Sequence, residues 1–250
     1  MTVEAFYDDV FEWARGLLTP GRAFILGVNG PQGAGKSTLT AALCSRFAAT
    51  GVRALTVSVD DFYLTRAEQV ALATRFPANP YLQQRGYPGT HDVALGAATL
   101  DALRGRTGVA RIPRYDKSAF RGQGDRAGFV DVALPLDLIF VEGWLLGFTP
   151  GSSLPDVDDF LRAYSAWTSR LDGFLLLDPL DPRYVLDWRV EAEERMKAGG
   201  KPGMSTEEIR AYVAKFLPAY EAWLPELRAW NPVKGPILRR KIGKNRLPAV

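Results

Sequence analysis

The segment that decides the fold is Gly30-Pro31-Gln32-Gly33-Ala34-Gly35-Lys36-Ser37, near the beginning of the chain. It fits the pattern G-x-x-x-x-G-K-[ST], which holds phosphate groups when it joins a strand to a helix. Both flanks fit that context, because residues 23–28 form an apolar run typical of a buried strand and residues 37–49 have a helical pattern. The glycines allow backbone N–H groups to face one anion, and the following helix adds the positive end of its dipole. The segment therefore predicts a phosphate-binding loop rather than a chance glycine-rich turn.

The motif also assigns roles to individual side chains. Lys36 is expected to reach the outer phosphates of a nucleotide, and the Ser37 hydroxyl is expected to ligate Mg²⁺. The chain has no Asn-Lys-x-Asp run, which disfavours a guanine-specific GTPase, and no Leu-Ser-Gly-Gly run, which disfavours a transport ATPase. The predicted nucleotide-binding residues are Gly30, Gln32, Gly33, Ala34, Gly35, Lys36, Ser37 and Thr38.

Strand-like and helix-like patterns alternate along the rest of the chain. Helices are predicted at 3–18, 37–49, 92–103, 156–171, 182–198 and 205–217, and strands at 23–28, 53–59, 136–141, 174–177 and 237–242. Residues 77–92 and 105–131 are predicted as loops. This alternation predicts an α/β fold, a three-layer sandwich with a mainly parallel sheet, and one domain spanning residues 1–250.

Composition excludes several classes of protein. The 250 residues carry 31 Lys and Arg against 28 Asp and Glu, a net charge of +3, which is too small an excess to predict a nucleic-acid partner. Cys44 is the single cysteine, so no disulfide can form within the chain, as is typical of a reducing compartment. No 18-residue apolar stretch and no signal peptide are evident. We expect a cytoplasmic protein without a membrane partner; the sequence leaves the oligomeric state open and is compatible with a monomer.

Carboxylates follow two of the predicted strands. Asp60 and Asp61 come directly after the second strand, and Glu142 comes after the third. Since ligands of open α/β sheets bind at the carboxyl ends of the strands, these acids should lie near the phosphate loop. Glu142 is the predicted metal-side acid, and Asp60 is the candidate base for an attacking hydroxyl. Asp61 could be the base instead, or could cap the next helix. The alternatives are an acid pair at a strand end or helix start for Asp60 and Asp61, and a solvated strand end for Glu142.

Two ordered, basic loops look suited to a second substrate. They cover residues 79–92 and 113–126, and residues 104–126 carry seven basic side chains against two acidic ones. A small acid would need such an excess, because a carboxylate matches the arginine fork; the alternative is a solvated basic face. The single histidine, His91, could contact this acceptor or could only begin a helix. The predicted acceptor-binding residues are Asp60, Tyr63, Arg85, His91, Arg114, Tyr115, Lys117 and Arg126.

Residues 184–203 form the predicted lid. This basic helix carries Arg189, Arg195, Lys197 and Lys201 before a stretch rich in glycine and proline. Such a helix can close over the transferred phosphoryl group, where Arg189 would neutralise developing charge together with Lys36. An exposed amphipathic helix is the alternative. The basic run at 234–246 is predicted as a solvated edge strand.

The combination of these motifs resembles a known group. The runs that carry the resemblance are Asp60-Asp61-Phe62-Tyr63, Gln83-Gln84-Arg85-Gly86-Tyr87-Pro88-Gly89-Thr90-His91-Asp92, Pro113-Arg114-Tyr115-Asp116-Lys117-Ser118, Gly124-Asp125-Arg126, Glu142-Gly143-Trp144, Trp188-Arg189 and Gly203-Met204-Ser205. They look like the P-loop kinases related to uridine kinase, pantothenate kinase and phosphoribulokinase, and within that group they are most similar to the plant-type D-glycerate 3-kinases.

The resemblance implies ATP-dependent phosphorylation of glycerate to 3-phosphoglycerate with Mg²⁺. It would make Asp60 the acid that faces the acceptor hydroxyl and Glu142 the acid on the metal side. The alternatives are a kinase for another small acceptor, such as a pantothenate-like molecule or a nucleoside, and an ATP-binding regulatory protein without any acceptor.

Overall fold

The computed structural model describes residues 1–151, 154–199 and 205–249. Its strands are β1 (Phe24–Asn29), β2 (Ala54–Ser58), β3 (Val109–Asp116), β4 (Asp125–Ala133), β5 (Leu138–Glu142), β6 (Gly173–Pro179) and β7 (Ile237–Ile242). Within these ranges the central sheet has the order β2-β5-β1-β6-β7, and each neighbouring pair is parallel. The predicted α/β class and parallel sheet are confirmed, and β7 lies at the sheet edge as expected.

The middle strands of the sheet are the apolar runs that the sequence indicated. Every residue of β5 and β6 is buried, because a parallel sheet carries helices on both of its faces. The register places Val28 of β1 beside Glu142 of β5, and Ser58 of β2 lies on the other side of Glu142. The carboxyl ends of β1, β2 and β5 therefore meet at one edge of the sheet, where the site is built.

Helices cover the sheet and connect its strands. They are α1 (Val3–Arg15), α2 (Lys36–Ala49), α3 (Arg66–Arg75), α4 (Val93–Leu103), α5 (Ala119–Gly122, a short turn), α6 (Pro155–Arg162), α7 (Ser165–Thr168), α8 (Tyr184–Ala198), α9 (Thr206–Ala214) and α10 (Leu217–Ala229). Ser205 and Glu208 form a capping box at the start of α9, where the helix over 205–217 was predicted to begin. Within the described ranges, no helix combines the length and the apolar character that crossing a membrane requires.

Three parts of the secondary structure differ from the sequence prediction. Residues 105–131 are not a loop: they include β3 and most of β4, an antiparallel hairpin whose outer strand is largely exposed and so lacks an apolar signature. The helix predicted at 156–171 is divided, because Ala163, Tyr164 and Trp167 make tighter bonds to carbonyls three residues back. The sequence pattern also missed α3 and α10; α10 contains Pro225 within it.

Candidate active site

The phosphate loop joins β1 to α2 as predicted. Gly33 and Gly35 have φ angles of +79° and +89°, a conformation that side chains disfavour. Lys36 begins α2, and its buried ammonium donates to the carbonyl oxygens of Gly30 at 2.8 Å and Pro31 at 3.0 Å. Burial lowers the pKa of Lys36, and the nearby carboxylate of Glu142 opposes part of that shift. The loop is therefore folded with its lysine positioned inside it.

The two predicted metal-side residues lie in contact. Ser37 Oγ donates to Glu142 Oε1 at 2.9 Å, and Glu142 is only 6% exposed. Hydroxyl and carboxylate oxygens are the ligands that Mg²⁺ prefers, and this ion usually takes its remaining ligands from phosphates and water. Within the described residues, no group of three acidic, histidine or cysteine side chains could hold a metal alone. The pair therefore suits an ion that arrives with a nucleotide.

The adjacent acids after β2 have different partners. Both lie in a 3₁₀ turn, Val59–Phe62. Asp61 accepts from Arg114 Nη1 at 2.8 Å and from the Tyr115 amide at 3.1 Å, so it fastens the β3–β4 hairpin to the end of β2. Asp60 instead pairs with Lys117 Nζ at 2.5 Å. Asp60 thus faces the Lys117 ammonium, whereas both oxygens of Asp61 hold the hairpin.

Asp60 is held in its ionised form. Burial alone would raise the pKa of its carboxyl group, but the charge and hydrogen bond of Lys117, helped by Lys36, outweigh burial and lower that pKa. Glu142 also faces this cluster, because its charge acts on both Lys36 and Lys117. A carboxylate in this setting is well suited to orient a hydroxyl group.

Tyr63 and His91 stack beside Asp60. Their rings lie 4.2 Å apart, and burial together with the Asp60 charge raises the pKa of Tyr63 well above its ordinary value. His91 Nδ1 lies 2.7 Å from the Tyr164 hydroxyl, which already accepts from the Gly89 amide. His91 Nδ1 and the Tyr164 hydroxyl thus share one hydrogen bond, and His91 Nε2 is buried without a hydrogen-bond partner in the described part of the chain. Burial lowers the pKa of His91 to about 3, so the imidazole is neutral near pH 7.

The three predicted acceptor arginines all have partners within the protein. Arg85 donates to the carbonyls of Gly122, Gln123 and Lys117, and its guanidinium lies 5.7 Å from the Tyr115 ring. Arg126 donates to the Tyr63 carbonyl and to Asp92, each at 3.4 Å, and Arg114 holds Asp61. The structure gives these arginines a role in holding the hairpin turn. Their roles as carboxylate ligands remain predictions.

The remaining predicted acceptor residues surround Asp60. Tyr115 lies edge-on to Tyr63 at 5.2 Å, and Lys117 ends the same loop at the Asp60 carboxylate. A side chain at Gly124 would come within 2.4 Å of the Tyr115 ring, so this glycine permits that ring position. Asp60, Tyr63, His91, Tyr115 and Lys117 therefore form one cluster at the sheet edge.

The predicted lid residue Arg189 is held between α8 and α9. Arg189 of α8 pairs with Glu193 and lies 5.1 Å from the ring of Tyr212 on α9. Arg195 pairs with Glu191 at the exposed side of the helix. The predicted lid residue Lys201 falls in the 200–204 segment, outside the described residues, as do Gly203 and Met204 of the motifs above.

Sequence reasoning missed two contributors to the phosphate loop. Arg246 was placed within a solvated edge strand, but it follows β7, and its Nε donates to the Gly33 carbonyl at 2.7 Å. Its guanidinium also lies 5.5 Å from the ring of Trp188, whose Cβ would be 2.6 Å from a methyl group at Gly33. The one sequence signal for this contact was the Trp188-Arg189 pair, which is among the runs that carry the family resemblance. The C-terminal turn and α8 together enclose the loop.

Comparisons with known proteins agree with this geometry. No family model matches the chain. The chain is 42% identical to the chloroplastic D-glycerate 3-kinase of Arabidopsis thaliana over 83% of its own length and 49% of that protein, so it spans about half of that relative. It is 35% identical to an uncharacterised kinase of Schizosaccharomyces pombe, over 100% of this chain and 99% of that protein.

A solved structure is similar to this protein over nearly the whole chain. The D-glycerate 3-kinase of Cryptococcus neoformans superimposes with a TM-score of 0.86 and 31% identity, covering 98% of this chain and 96% of that one. The relatives are kinases, which agrees with a phosphate loop that leads into a metal-side acid. The chain therefore belongs to the D-glycerate 3-kinase family of P-loop kinases.

Proposed function

We propose that this protein transfers the terminal phosphoryl group of ATP to D-glycerate and so forms 3-phosphoglycerate. The observation that carries the proposal is the meeting of three features at one sheet edge: the phosphate loop, the Ser37–Glu142 pair at 2.9 Å, and Asp60 paired with Lys117 at 2.5 Å. The names of the Arabidopsis and Cryptococcus relatives support glycerate as the acceptor.

The phosphate loop holds the ATP phosphates in this proposal. Backbone N–H groups of Lys36, Ser37 and Thr38, in the first turn of α2, face the anion, and the N-terminus of this helix adds a positive partial charge. Lys36 leaves the carbonyls of Gly30 and Pro31 for the outer phosphates, because a charge-assisted bond to phosphate is stronger than a bond to a neutral carbonyl. The lysine thus changes partners without leaving its helix.

Ser37 and Glu142 are the residues that would hold Mg²⁺, which supplies neutralisation of phosphate charge when bound. Glu142 is suited to this role because its buried carboxylate already lies on the Ser37 hydroxyl.

Asp60 receives the acceptor hydroxyl. The hydroxyl oxygen attacks the terminal phosphorus, the bond from that phosphorus to the bridging oxygen of ADP breaks, and the hydroxyl proton passes to the Asp60 carboxylate. Arg189 of the lid neutralises charge on the transferred group. Lys117 must release Asp60 for this step, and its ammonium then lies beside the incoming acid.

The whole chain works as one kinase domain in this proposal. Residues 77–126 supply the acceptor side, and the lid spans 184–203, of which 200–203 fall outside the described residues.

The test is a coupled ADP-release assay with ATP and Mg²⁺ across D-glycerate, L-glycerate, pantothenate and uridine. We expect turnover with D-glycerate, 3-phosphoglycerate as product, and loss of ADP release in Lys36→Ala. Faster turnover with pantothenate or uridine would mean that this molecule, and not D-glycerate, is the acceptor. ADP release that no acceptor stimulates would refute it in favour of an ATP-binding regulatory protein.

A further inference from the structure

Tyr212 connects the lid to the acceptor side of the site. It lies on α9, and its ring is 5.1 Å from Phe216 on the next turn of the chain. Phe216 in turn stacks on Tyr87 of the acceptor loop at 5.5 Å and lies edge-on to Trp144, which follows β5, at 5.4 Å. The position of Tyr212 is therefore supported, through Phe216, by the predicted acceptor loop and by the segment that follows β5.

The Tyr212 ring is one of two groups that hold Arg189. The guanidinium lies 5.1 Å from the ring centre, an attractive arrangement of a cation over an aromatic face. Glu193, one turn further along α8, pairs with the same guanidinium, and its side chain is only 2% exposed. Burying a carboxylate costs free energy unless the carboxylate is paired. The buried Glu193 carboxylate therefore indicates that the Arg189 guanidinium is held in a fixed place. Arg189 Nε is itself buried and has no hydrogen-bond partner in the described part of the chain.

The Tyr212 hydroxyl has no hydrogen-bond partner among the residues that the structure describes. In residues 1–151, 154–199 and 205–249 no atom forms a hydrogen bond with it, although the side chain is half-buried. Burial raises the pKa of this phenol, the Asp60 charge raises it further, and Arg189, Arg85 and Lys117 oppose these effects. The hydroxyl thus remains a proton donor at neutral pH, within electrostatic reach of three cations and one carboxylate. Such surroundings favour an anionic ligand.

We propose that Tyr212, on the helix that follows the lid, recognises the acceptor: its ring orients Arg189, and its hydroxyl donates to the carboxylate of the acceptor. The inference rests on the proposed function, because the carboxylate is that of glycerate. Tyr212 is thus a binding residue through its oxygen and a positioning residue through its ring. The two roles can be separated, since phenylalanine keeps the ring and leucine keeps neither.

The experiment measures kcat and KM for D-glycerate and ATP in Tyr212→Phe, Tyr212→Leu, Arg189→Met and the double variant Tyr212→Leu/Arg189→Met. We expect Tyr212→Phe to raise KM for D-glycerate about tenfold, the loss of one bond to a charged group, with kcat within about twofold and KM for ATP unchanged. We expect Tyr212→Leu to lower kcat about tenfold as well, but to lower it no further when Arg189 is already methionine.

A structural role would give a different pattern. Val213→Ala is the matched control, because Val213 is buried on the next position of α9 and should alter stability without changing either KM. An unchanged KM for D-glycerate in Tyr212→Phe would overturn the role of the hydroxyl, and additive losses of kcat in the double variant would overturn the role of the ring. The phenylalanine variant keeps the packing, so the hydroxyl is tested even if the leucine variant fails to fold.

Failure of the proposed function is distinguishable from these results. If the wild-type protein leaves D-glycerate unphosphorylated, the proposed function and the hydroxyl role both fail. The role of the Tyr212 ring is then tested by ATP hydrolysis without an acceptor. We expect the losses of kcat in Tyr212→Leu and Arg189→Met to be non-additive in this assay as well. Additive losses would refute the role of the ring.

Discussion

Replacing Asp60 with asparagine tests the chemistry most directly. The amide of Asp60→Asn has almost the same shape and can still accept a hydrogen bond from the acceptor hydroxyl, but it can neither take the proton nor carry charge. A positioned base typically contributes about 10²- to 10⁴-fold to the rate. Because orientation is retained, we expect the lower part of that range, a loss of about 10²- to 10³-fold in kcat, or about 3–4 kcal/mol.

The neighbouring Asp61 provides the matched comparison. In Asp61→Asn the side-chain oxygen can still accept from the Tyr115 amide, but an NH2 group then faces Arg114, so both the charge and the hydrogen bond to that arginine are lost. The Arg114 side chain is 37% exposed, so solvent screens that pair, and we expect a cost of about 1 kcal/mol in unfolding free energy. The kcat of Asp61→Asn should stay within about threefold of wild type, because neither oxygen has a role in transfer.

The assay is coupled ADP release at saturating D-glycerate and ATP, with urea denaturation of both variants. Glycerate-dependent kcat should fall sharply in Asp60→Asn and hardly at all in Asp61→Asn, while unfolding free energy should fall in the latter. An Asp60→Asn protein with kcat within threefold of wild type would refute the reasoning. So would a larger loss of kcat in Asp61→Asn, because the catalytic acid would then be the wrong one of the pair.

Three further predictions concern charge at the site. Burial raises the pKa of Asp60 and Lys117 lowers it, so Lys117→Met should raise this pKa and move the acidic limb of the kcat/KM profile for D-glycerate to higher pH. An acidic limb at the wild-type pH would contradict the pairing of Lys117 with Asp60. Glu142→Gln should raise the Mg²⁺ concentration for half-maximal activity about tenfold, measured at fixed ATP, and an unchanged requirement would remove Glu142 from the metal side. His91 has a pKa of about 3 when folded and about 6.5 when unfolded, so the unfolded state binds more protons and unfolding free energy should fall by about 2 kcal/mol from pH 7.5 to 5. His91→Gln should lack that dependence in urea titrations, and retaining it would assign the titration elsewhere.

The parts of the site that sequence could predict are those that neighbouring backbone positions determine. Gly30 to Ser37 are consecutive, so their motif specifies both the loop and the helix that follows. Glu142 was predictable because parallel strands end at one edge of the sheet, and the register of β1 and β5 brings it to Ser37. Both predictions depend on regular backbone geometry: a motif of consecutive residues in one case, and parallel strands that end at the same edge of the sheet in the other.

Partner choice among side chains was not predictable. Arg85, Arg114 and Arg126 were expected to bind an acceptor, but backbone carbonyls and acids of distant elements occupy them in this structure. An arginine matches a protein acceptor as well as a substrate carboxylate, and only the three-dimensional arrangement selects between them. Tyr212 was missed for the same reason, because its partner Arg189 lies on another helix. A cytoplasmic location also remains a prediction from composition.

The β3–β4 hairpin is joined to the turn after β2 through the side chain of Asp61, and to the start of α3 through a bond from the Arg66 amide to Asp125. It shares no backbone ladder with the five parallel strands among the described residues. Its outer strand β4 is largely exposed and can change in charge without shifting the register on which the nucleotide half depends, whereas Ala110 and Ile112 of β3 belong to the buried core. Protein engineers could therefore redesign this hairpin to accept a different phosphate acceptor while leaving the ATP-binding part of the chain unchanged.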